Sequence, residues 1–497
     1  MLEILGSLEG AITLSRTLAL MRETLTQLDG ETANRISQRG DKSRERQRLD
    51  SANLLLADYY RCSVNQVPFR APGRLAKDPG YFRFGPDTIC YGRLSSGHTD
   101  PSPAGQLLDV LDRVVLEPDG ISLPFDAKVL VENLRRERYT AHFRQEGRFL
   151  NEILRKVYYL IRPLLGASAR RQIQRMHGRG WQEISFPSWP VDTTVERIHK
   201  KLLALSLKAQ GRQCIPFIWF WPDGFSSCAI MTHDVEGELG RDFCHQLMDL
   251  DESFGIRSSF QVVPEKRYNI PKDLLDVMRC RGFEVNLHDL SHDGRLYADH
   301  AEFLRRAKRI NNYAREFGAQ GFRSGILFRN ADWFDAFEFS YDMSIPNVAH
   351  LDPQRGGCCT VMPYFIGNIV ELPVTCTQDY TLFHILGDYS MDLWKKQLAL
   401  VRDNNGLINF IVHPDYVMEQ RAQDTYKALL GHLARLRDEG TIWTALPGEV
   451  AAWWRARANM DLVFEGGQWR AKGPGSERAR VAYASLEGDG VTYSLAG

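Results

Sequence analysis

The sequence predicts an α/β fold in which parallel strands alternate with helices and form an open sheet or a barrel. From residue 226 onward, short apolar runs alternate with amphipathic stretches of helical period. Prolines stand at helix starts and glycines at helix ends, as Pro271 and Gly282 do for one helix. Ionisable residues follow one apolar run after another, which is typical of functional groups at the carboxyl ends of parallel strands.

The predicted strands and helices of this region follow one another in strict alternation. The strands are SCAIMTHD, RSSFQVVP, FEVNLHD, QGFRSG, NIVELPVT, LINFIVHPD and TIWTALP. The helices are GRDFCHQLMDLDESFG, PKDLLDVMRCRG, HAEFLRRAKRINNYAREFG, a helix around ADWFDAFE, MDLWKKQLALVRDNNG and DTYKALLGHLARLRDEG. A helix between two strands serves as a crossover connection, so the strands are expected to pair in parallel.

The length of 497 residues predicts more than one domain. We expect an N-terminal helical segment over residues 1–60 and a mixed α/β accessory domain over 61–225, which is rich in Pro/Gly loops. The barrel is expected over 226–458. Short alternating strands with glycine-rich turns predict a small antiparallel β appendage over 459–497.

The composition of the chain limits which binding partners and which cellular compartment are expected. Lys plus Arg equals Asp plus Glu, 62 each, so the chain as a whole has no strong electrostatic reason to bind nucleic acid. No apolar run approaches the roughly 18 residues of a transmembrane segment. Glu3 and Glu9 stand where a secretory signal would carry positive charge, and the nine cysteines form no CxxC pair. These features predict a cytoplasmic protein with reduced thiols.

The ionisable residues that follow the predicted strands form the candidate site. His233, Asp234 and Glu236 follow the first strand, and His288 and His292 follow the third. Two strand ends further along the chain contribute one more residue each: Arg323 and His413.

His288 and His292 are spaced as ligands of one metal ion. On a helical turn, residues i and i+4 face the same way, about 6 Å apart at the backbone. Two imidazoles and a carboxylate would leave an open position for water, which is the pattern of a catalytic zinc site. If Asp-Val-Glu is extended, Val235 points away and both carboxylates, Asp234 and Glu236, point to the same side.

Each candidate site residue also has an interpretation without a role in metal binding or catalysis. Two histidines four residues apart are often surface residues, and an isolated Arg323 is often half of a surface salt bridge. His413 is also compatible with a strand-end histidine bonded to a loop, and His233 with an outer or structural imidazole. Three further histidines are interpreted as packing or surface residues: His350, His384 and His432.

Four motifs together resemble those of the polysaccharide deacetylase family, the NodB-homology carbohydrate esterases, over about residues 226 to 450. MTHDVEG resembles the first motif of the family, and HDLSH resembles its metal-binding motif in a short form. GFRSG resembles the arginine motif, and INFIVH resembles the last motif, which carries a histidine. The four stand in the family's order along the chain.

The resemblance implies a distorted (β/α) barrel, one divalent metal, with zinc as the expected ion, and hydrolysis of N-acetyl groups on sugars. It implies Asp234 as catalytic base, Arg323 as the group that orients it, and His413 as acid. The implied metal ligands are Glu236, His288 and His292. The first motif reads Asp-Val-Glu where the family has adjacent aspartates, so the roles of Asp234 and Glu236 are interchangeable at this point. Ser324-Gly325 also replaces the proline and aromatic residue that follow the family's arginine.

The resemblance and the predicted compartment together predict the substrate class. It would be an N-acetylated glycan or a lipid-linked or nucleotide-linked sugar precursor, and a lipid-linked substrate would bring the protein to a membrane. Two alternatives stay open: hydrolysis of another C–N bond, such as a cyclic amide, and a catalytically weak protein that binds glycans. The sequence does not indicate an oligomeric state.

Overall fold

The structure is a computed structural model that describes residues 51–63, 69–70, 72–117, 120–140 and 180–496. Most of the predicted N-terminal helical segment, residues 1–50, lies outside the described residues. Its last ten residues are described and are helical. Among the described residues, no helix combines the length and apolar character that crossing a bilayer requires.

The strands and helices are numbered in chain order. The strands are β1 (Phe69–Arg70), β2 (Gly80–Arg83), β3 (Ile89–Gly92), β4 (Val115–Glu117), β5 (Gly120–Ser122), β6 (Cys214–Ile218), β7 (Ser227–Val235), β8 (Ser259–Val262), β9 (Glu284–His288), β10 (Gly321–Arg323), β11 (Tyr341–Asp342), β12 (Tyr364–Ile366), β13 (Ile369–Glu371), β14 (Leu407–Ile411), β15 (Ile442–Thr444), β16 (Asp461–Glu465), β17 (Gln468–Lys472), β18 (Val481–Glu487) and β19 (Gly490–Leu495). The α-helices are α1 (Ser51–Tyr60), α2 (Ala127–Arg135), α3 (Thr194–Gln210), α4 (Glu238–Ser253), α5 (Lys272–Cys280), α6 (His300–Phe317), α7 (Asp392–Arg402), α8 (Gln420–Asp438) and α9 (Pro447–Ala458). Short 3₁₀ turns include Gly325–Leu327, Ala331–Ala336 and Pro414–Val417, and a π-helical turn spans Tyr380–Leu386.

A nine-stranded sheet forms the centre of the molecule. Its strand order is β12-β13-β11-β10-β9-β8-β7-β14, and β15 also pairs with β7. All of these pairs are parallel except β12 with β13. The predicted α/β class with a parallel sheet is therefore confirmed. The helix predicted around ADWFDAFE is a 3₁₀ turn instead.

The sheet curls until the segment that follows β13 reaches β14. The backbone N–H of Cys376 donates to the Asn409 carbonyl at 3.2 Å, and the Thr375 hydroxyl donates to the Leu407 carbonyl at 2.7 Å. The Asn409 side chain donates to the Leu372 carbonyl at 3.0 Å. One backbone hydrogen bond and hydrogen bonds from side chains thus connect the two segments, which do not form a full strand ladder. The curled sheet is observed, and the particular barrel type stays a prediction.

Burial on both faces explains why the barrel strands have nearly continuous apolar sequences. All nine residues of β7 are buried. The surrounding helices cover the sheet with their apolar faces and begin and end at local signals. In α6, the Asp299 side chain accepts from the Glu302 N–H at 2.8 Å, and Gly318 ends the helix at φ +60°.

The regions before and after the barrel contact each other. β18 pairs antiparallel with both β19 and β6, with Ala482 opposite Phe217. β16 and β17 form a separate hairpin. The buried Arg457 of α9 donates to the carbonyls of Trp219 and Ile218, which lie at the end of β6. Residues on both sides of the barrel thus share one core, and the predicted domain boundaries stay predictions.

Candidate active site

Strand β7 ends at the site and places two carboxylates on one side of the chain. Val235 is fully buried, whereas Asp234 and Glu236 both approach the ring of His288. The Nε2 atom of His288 lies 3.8 Å from Asp234 Oδ2 and 3.6 Å from Glu236 Oε1. The side-chain alternation predicted for Asp-Val-Glu is what the structure contains.

His288 and His292 come together by a different route from the predicted helical turn, so that prediction was wrong. His288 ends β9, and the chain then reverses through Asp289 at φ +59° and His292 at φ +49°. The two imidazole ring centroids are 4.8 Å apart. A side chain at Gly325 would meet this loop, since a Cβ there would lie 2.5 Å from Asp289 Oδ2 and 2.9 Å from His292 Cδ2. The left-handed residues and the glycine together allow the close approach.

Three side chains offer a set of donor atoms that fits one metal ion. One ligand atom each from Glu236, His288 and His292 lies within 4.8 Å of the others, the one such group of three found among the described residues. His292 Nε2 is 2.9 Å from Glu236 Oε1. Two ligand atoms bound to a tetrahedral zinc ion at about 2.1 Å lie about 3.4 Å apart. This is close to the 2.9 and 3.6 Å that separate Glu236 Oε1 from the Nε2 atoms of His292 and His288.

The histidine nitrogens of this group lack the partners that buried polar atoms normally have. Nε2 of His288 and Nε2 of His292 are buried and make no hydrogen bond with any described residue. Such atoms are costly to bury unless something satisfies them. Two imidazoles and one carboxylate suit zinc. Burial raises the pKa of Glu236, but His292 and its neighbours lower it more, so the pKa of this carboxyl lies well below its usual range.

Arg323 is fully buried and holds Asp234, so it is not a surface salt-bridge residue. Its Nη1 donates to Asp234 Oδ1 at 2.9 Å and to the Thr232 hydroxyl at 2.7 Å. Its Nε donates to the Met343 carbonyl at 3.0 Å. Burial raises the pKa of Asp234, but the Arg323 guanidinium lowers it more, so Asp234 is a carboxylate with one oxygen occupied by Arg323.

His413 follows β14 and is paired with Asp379, a residue that the sequence did not single out. Nδ1 of His413 is 2.7 Å from Asp379 Oδ1, and the His413 backbone N–H donates to Asp379 Oδ2 at 2.7 Å. Nε2 of His413 lies 3.4 Å from Glu236 Oε1. Burial lowers the pKa of His413, but the carboxylates of Asp379 and Glu236 raise it well above its ordinary value. Asp379 follows the predicted strand NIVELPVT by four residues, which is the same strand-end signal as the others, without a motif to strengthen it.

His233 is a structural imidazole that lies outside the group formed by Glu236, His288 and His292. Its Nδ1 is 3.0 Å from the Val412 carbonyl, and its Nε2 is 2.9 Å from Asp251 Oδ2. It therefore links the strand that carries Asp234 to the strand that precedes His413.

The three histidines that the sequence predicts to be packing or surface residues contact other side chains. His350 stacks on Trp189, and His432 contacts Arg435 at the surface. His384 contacts Tyr416, whose ring in turn lies 4.8 Å from that of His413.

Comparison with known proteins finds solved structures that are similar to about half of this chain, at low similarity. No protein-family model matches the chain, and no curated protein matches it in sequence. The similar solved structures include PuuE allantoinase, with 14% identity over 48% of this chain and 92% of that one, and a TM-score of 0.39. They also include a probable polysaccharide deacetylase from Pseudomonas aeruginosa PAO1, with 12% identity, 47% and 93% coverage, and a TM-score of 0.38. The peptidoglycan deacetylase PdaC from Bacillus subtilis matches with 11% identity, 46% and 93% coverage, and a TM-score of 0.30.

Polysaccharide deacetylases are thus among the structures that this chain resembles, as the motifs predicted. The similarity covers about half of the chain and is too distant to assign an activity, so the function rests on the geometry of the site.

Proposed function

We propose that this protein is a metal-dependent hydrolase that removes N-acetyl groups from a sugar or polysaccharide precursor. The observation that carries the proposal is the pair of buried, unpartnered Nε2 atoms of His288 and His292 directed at Glu236. Two further side chains lie beside this group: the carboxylate of Asp234, which Arg323 holds, and the imidazole of His413, which Asp379 holds. A metal-binding group with one base and one acid beside it is what amide hydrolysis requires.

The contacts support Glu236 as metal ligand and Asp234 as base. Glu236 Oε1 is the carboxylate oxygen nearest to both imidazoles, at 2.9 and 3.6 Å. Asp234 is farther from His288, at 3.8 Å, and uses its other oxygen to accept from Arg323. With Glu236, His288 and His292 as ligands, a bound zinc ion would lower the pKa of a coordinated water and polarise the acyl carbonyl.

Asp234 is positioned to take a proton from the attacking water. Arg323 occupies Oδ1, so Oδ2 is the oxygen that faces the ligand group. The guanidinium also keeps Asp234 ionised, which a base requires before it accepts a proton.

His413 is positioned to give a proton to the leaving amine. Its Nδ1 is held by Asp379, so its Nε2 is the ring atom that faces Glu236 and the reaction site. The Asp379 carboxylate stabilises the protonated ring, and a positioned general acid contributes typically ~10²–10⁴-fold. The products would be acetate and a free amino sugar.

The experiment that tests the proposal is an assay of the zinc-loaded protein for acetate release from N-acetylated sugars and their β-1,4-linked oligomers. The same preparation is assayed for ring opening of cyclic amides, and Asp234→Asn serves as the inactive control. Acetate release that the control lacks supports the proposal. Ring opening without acetate release would move the activity to another C–N bond, and tight sugar binding without turnover would favour the binding-protein alternative. The lipid or nucleotide linkage of the substrate and the cytoplasmic location stay predictions.

A further inference from the structure

The turn Gly325–Leu327, which follows β10, packs against the loop that carries His292. A Cβ at Gly325 would lie 2.5 Å from Asp289 Oδ2 and 2.9 Å from His292 Cδ2, so a side chain at this position would collide with the loop. The position of the turn therefore limits where the imidazole of His292 can lie.

Two residues of this turn have an unfavourable backbone conformation. Ile326 and Leu327 lie in the left-handed region, at φ +61° and +52°. This region is uncommon for residues other than glycine, and a β-branched residue such as isoleucine is a clear outlier there. Residues in such conformations persist where the surrounding structure holds them. The turn therefore depends on contacts from outside it.

Arg329, two residues beyond the turn, supplies such a contact. Its Nη1 donates to the Leu327 carbonyl at 2.8 Å. Its Nε donates to Glu137 Oε2 at 2.7 Å, and its Nη2 donates to Glu137 Oε1. The two side chains are only 1% and 6% exposed, and the two parallel hydrogen bonds fix their relative orientation. The guanidinium therefore joins the turn to Glu137, which follows α2 in the region before the barrel.

Both members of this ion pair are also held by other residues. Glu137 Oε1 accepts from the Gly357 N–H at 2.6 Å, and the Tyr139 hydroxyl donates to the Gly357 carbonyl at 2.6 Å. The Gln354 side chain exchanges two hydrogen bonds with the backbone of Arg329, each at 3.1 Å. The ion pair therefore has a fixed position from which it can hold the turn.

We propose that Glu137 and Arg329 are positioning residues of the candidate active site. Their ion pair holds the turn Gly325–Leu327 in its left-handed conformation, and the turn holds the loop of His292 in the arrangement that binds the metal ion. This inference rests on the proposed function for the metal ion. It adds that a residue of the region before the barrel, which is not a metal ligand, determines the affinity for the metal.

The first test measures the Kd for zinc of the full chain by competition with a chromogenic chelator. Glu137→Gln keeps the shape of the side chain and removes its charge, so fewer molecules hold the turn in place. If that fraction falls to about a tenth, the apparent Kd rises about tenfold, and we expect a rise of at least this size. Glu132→Gln, which removes an ion pair with Arg136 in the same region, is the matched control and should leave the Kd unchanged.

Two further variants separate positioning from a general loss of stability. Arg329→Lys keeps the charge but loses the paired hydrogen bonds, so it should also raise the Kd, and it carries the test if Glu137→Gln does not fold. Glycine adopts the left-handed conformation without strain. Ile326→Gly combined with Glu137→Gln should therefore recover at least about threefold of the lost affinity. If Glu137 only stabilised the fold, removing the Ile326 side chain would give no recovery.

Hydrogen exchange of the metal-free protein tests the ion pair without zinc. The Phe328 N–H donates to the Gly325 carbonyl at 3.3 Å and so reports on the turn. It should exchange at least about tenfold faster in Glu137→Gln and at the wild-type rate in Glu132→Gln. A wild type that binds no zinc refutes the proposed function, and the exchange rates then decide whether the ion pair holds the turn.

An unchanged Kd or an unchanged exchange rate in Glu137→Gln would overturn the inference, as would an equal rise of the Kd in Glu132→Gln. A double variant that binds zinc no better than Glu137→Gln alone would also overturn it, because relaxing the backbone of the turn would then have no effect on the metal site.

Discussion

The Nε2 atom of His292 lies 2.9 Å from Oε1 of Glu236, and yet the two atoms do not form a hydrogen bond. The distance is short enough, so it is the direction of the contact that does not fit. His288 Nε2 approaches the same carboxylate oxygen at 3.6 Å and is likewise without a hydrogen bond among the described residues. The proposed metal ion would satisfy the atoms that converge in this way.

Removing one imidazole should therefore remove the metal. We expect His292→Ala to lose bound zinc and the wild type to retain close to one ion per chain after dialysis, measured by elemental analysis. His245→Ala, an exposed histidine on α4, is the control and should bind zinc like the wild type. Equal zinc in His292→Ala and the wild type would remove the metal assignment.

Substitutions of the two carboxylates of the first motif, Asp234 and Glu236, are predicted to differ in their effects on zinc content and acetate release. Asp234→Asn should keep zinc and lose acetate release by about 10²–10⁴-fold, because the base is gone while the ligands remain. Glu236→Gln should lose zinc, since an amide is a poorer ligand than a carboxylate. Both changes preserve shape. If Asp234→Asn loses zinc and Glu236→Gln retains it, Asp234 is the metal ligand and Glu236 is the base, which contradicts the prediction.

Asp379 is predicted to act through His413. Asp379→Asn should lower kcat by about 10²–10⁴-fold with little change in KM, because the ring loses the carboxylate that orients it and stabilises its protonated form. In a double-mutant cycle with His413→Ala, the two losses should be far from additive. Additive losses would show that Asp379 supports the fold rather than the histidine.

Arg323 is predicted to be important for stability as well as catalysis. Arg323→Met should lower the apparent free energy of unfolding of the metal-free protein by about 3–5 kcal/mol, because Asp234 is then a buried charge without a partner. Asp234→Asn in the same chain should restore part of the loss. Arg435→Met, which removes an exposed arginine whose contact with Glu439 is 4.0 Å, should cost no more than about 1 kcal/mol. Urea denaturation measures all four proteins, and a loss below about 1 kcal/mol for Arg323→Met would contradict the prediction.

Glu196, which lies outside the candidate active site, is predicted to make the free energy of unfolding depend on pH. Its carboxylate is fully buried against Thr360, and burial raises its pKa from 4.5 to about 7. Between pH 4.5 and 7 the native state holds a proton that the unfolded state has released, so stability falls as pH rises through this range and then levels off. The loss amounts to about 3 kcal/mol at pH 8.

A neutral side chain at this position should remove that dependence. Glu196→Gln is expected to be more stable than the wild type at pH 8, with the difference shrinking toward pH 5, measured by denaturation at the two pH values. A variant that is less stable than the wild type at pH 8 would contradict the burial argument.

Local patterns of the amino-acid sequence were sufficient to predict the parallel α/β sheet and to select six residues that the fold brings near one another. Strand–helix alternation predicts parallel pairing, and parallel pairing brings strand ends such as Asp234, Arg323 and His413 to one rim. These inferences need only the period of the apolar residues and the residue that follows each strand.

Tertiary structure alone decided how those residues meet. The left-handed turn that joins His288 to His292 depends on close packing against Gly325, and the partnership of Asp379 with His413 spans 34 residues. The ion pair between Arg329 and Glu137 likewise joins residues that are 192 positions apart. Contacts between residues far apart in the chain are fixed by how whole elements pack, and no local period records them.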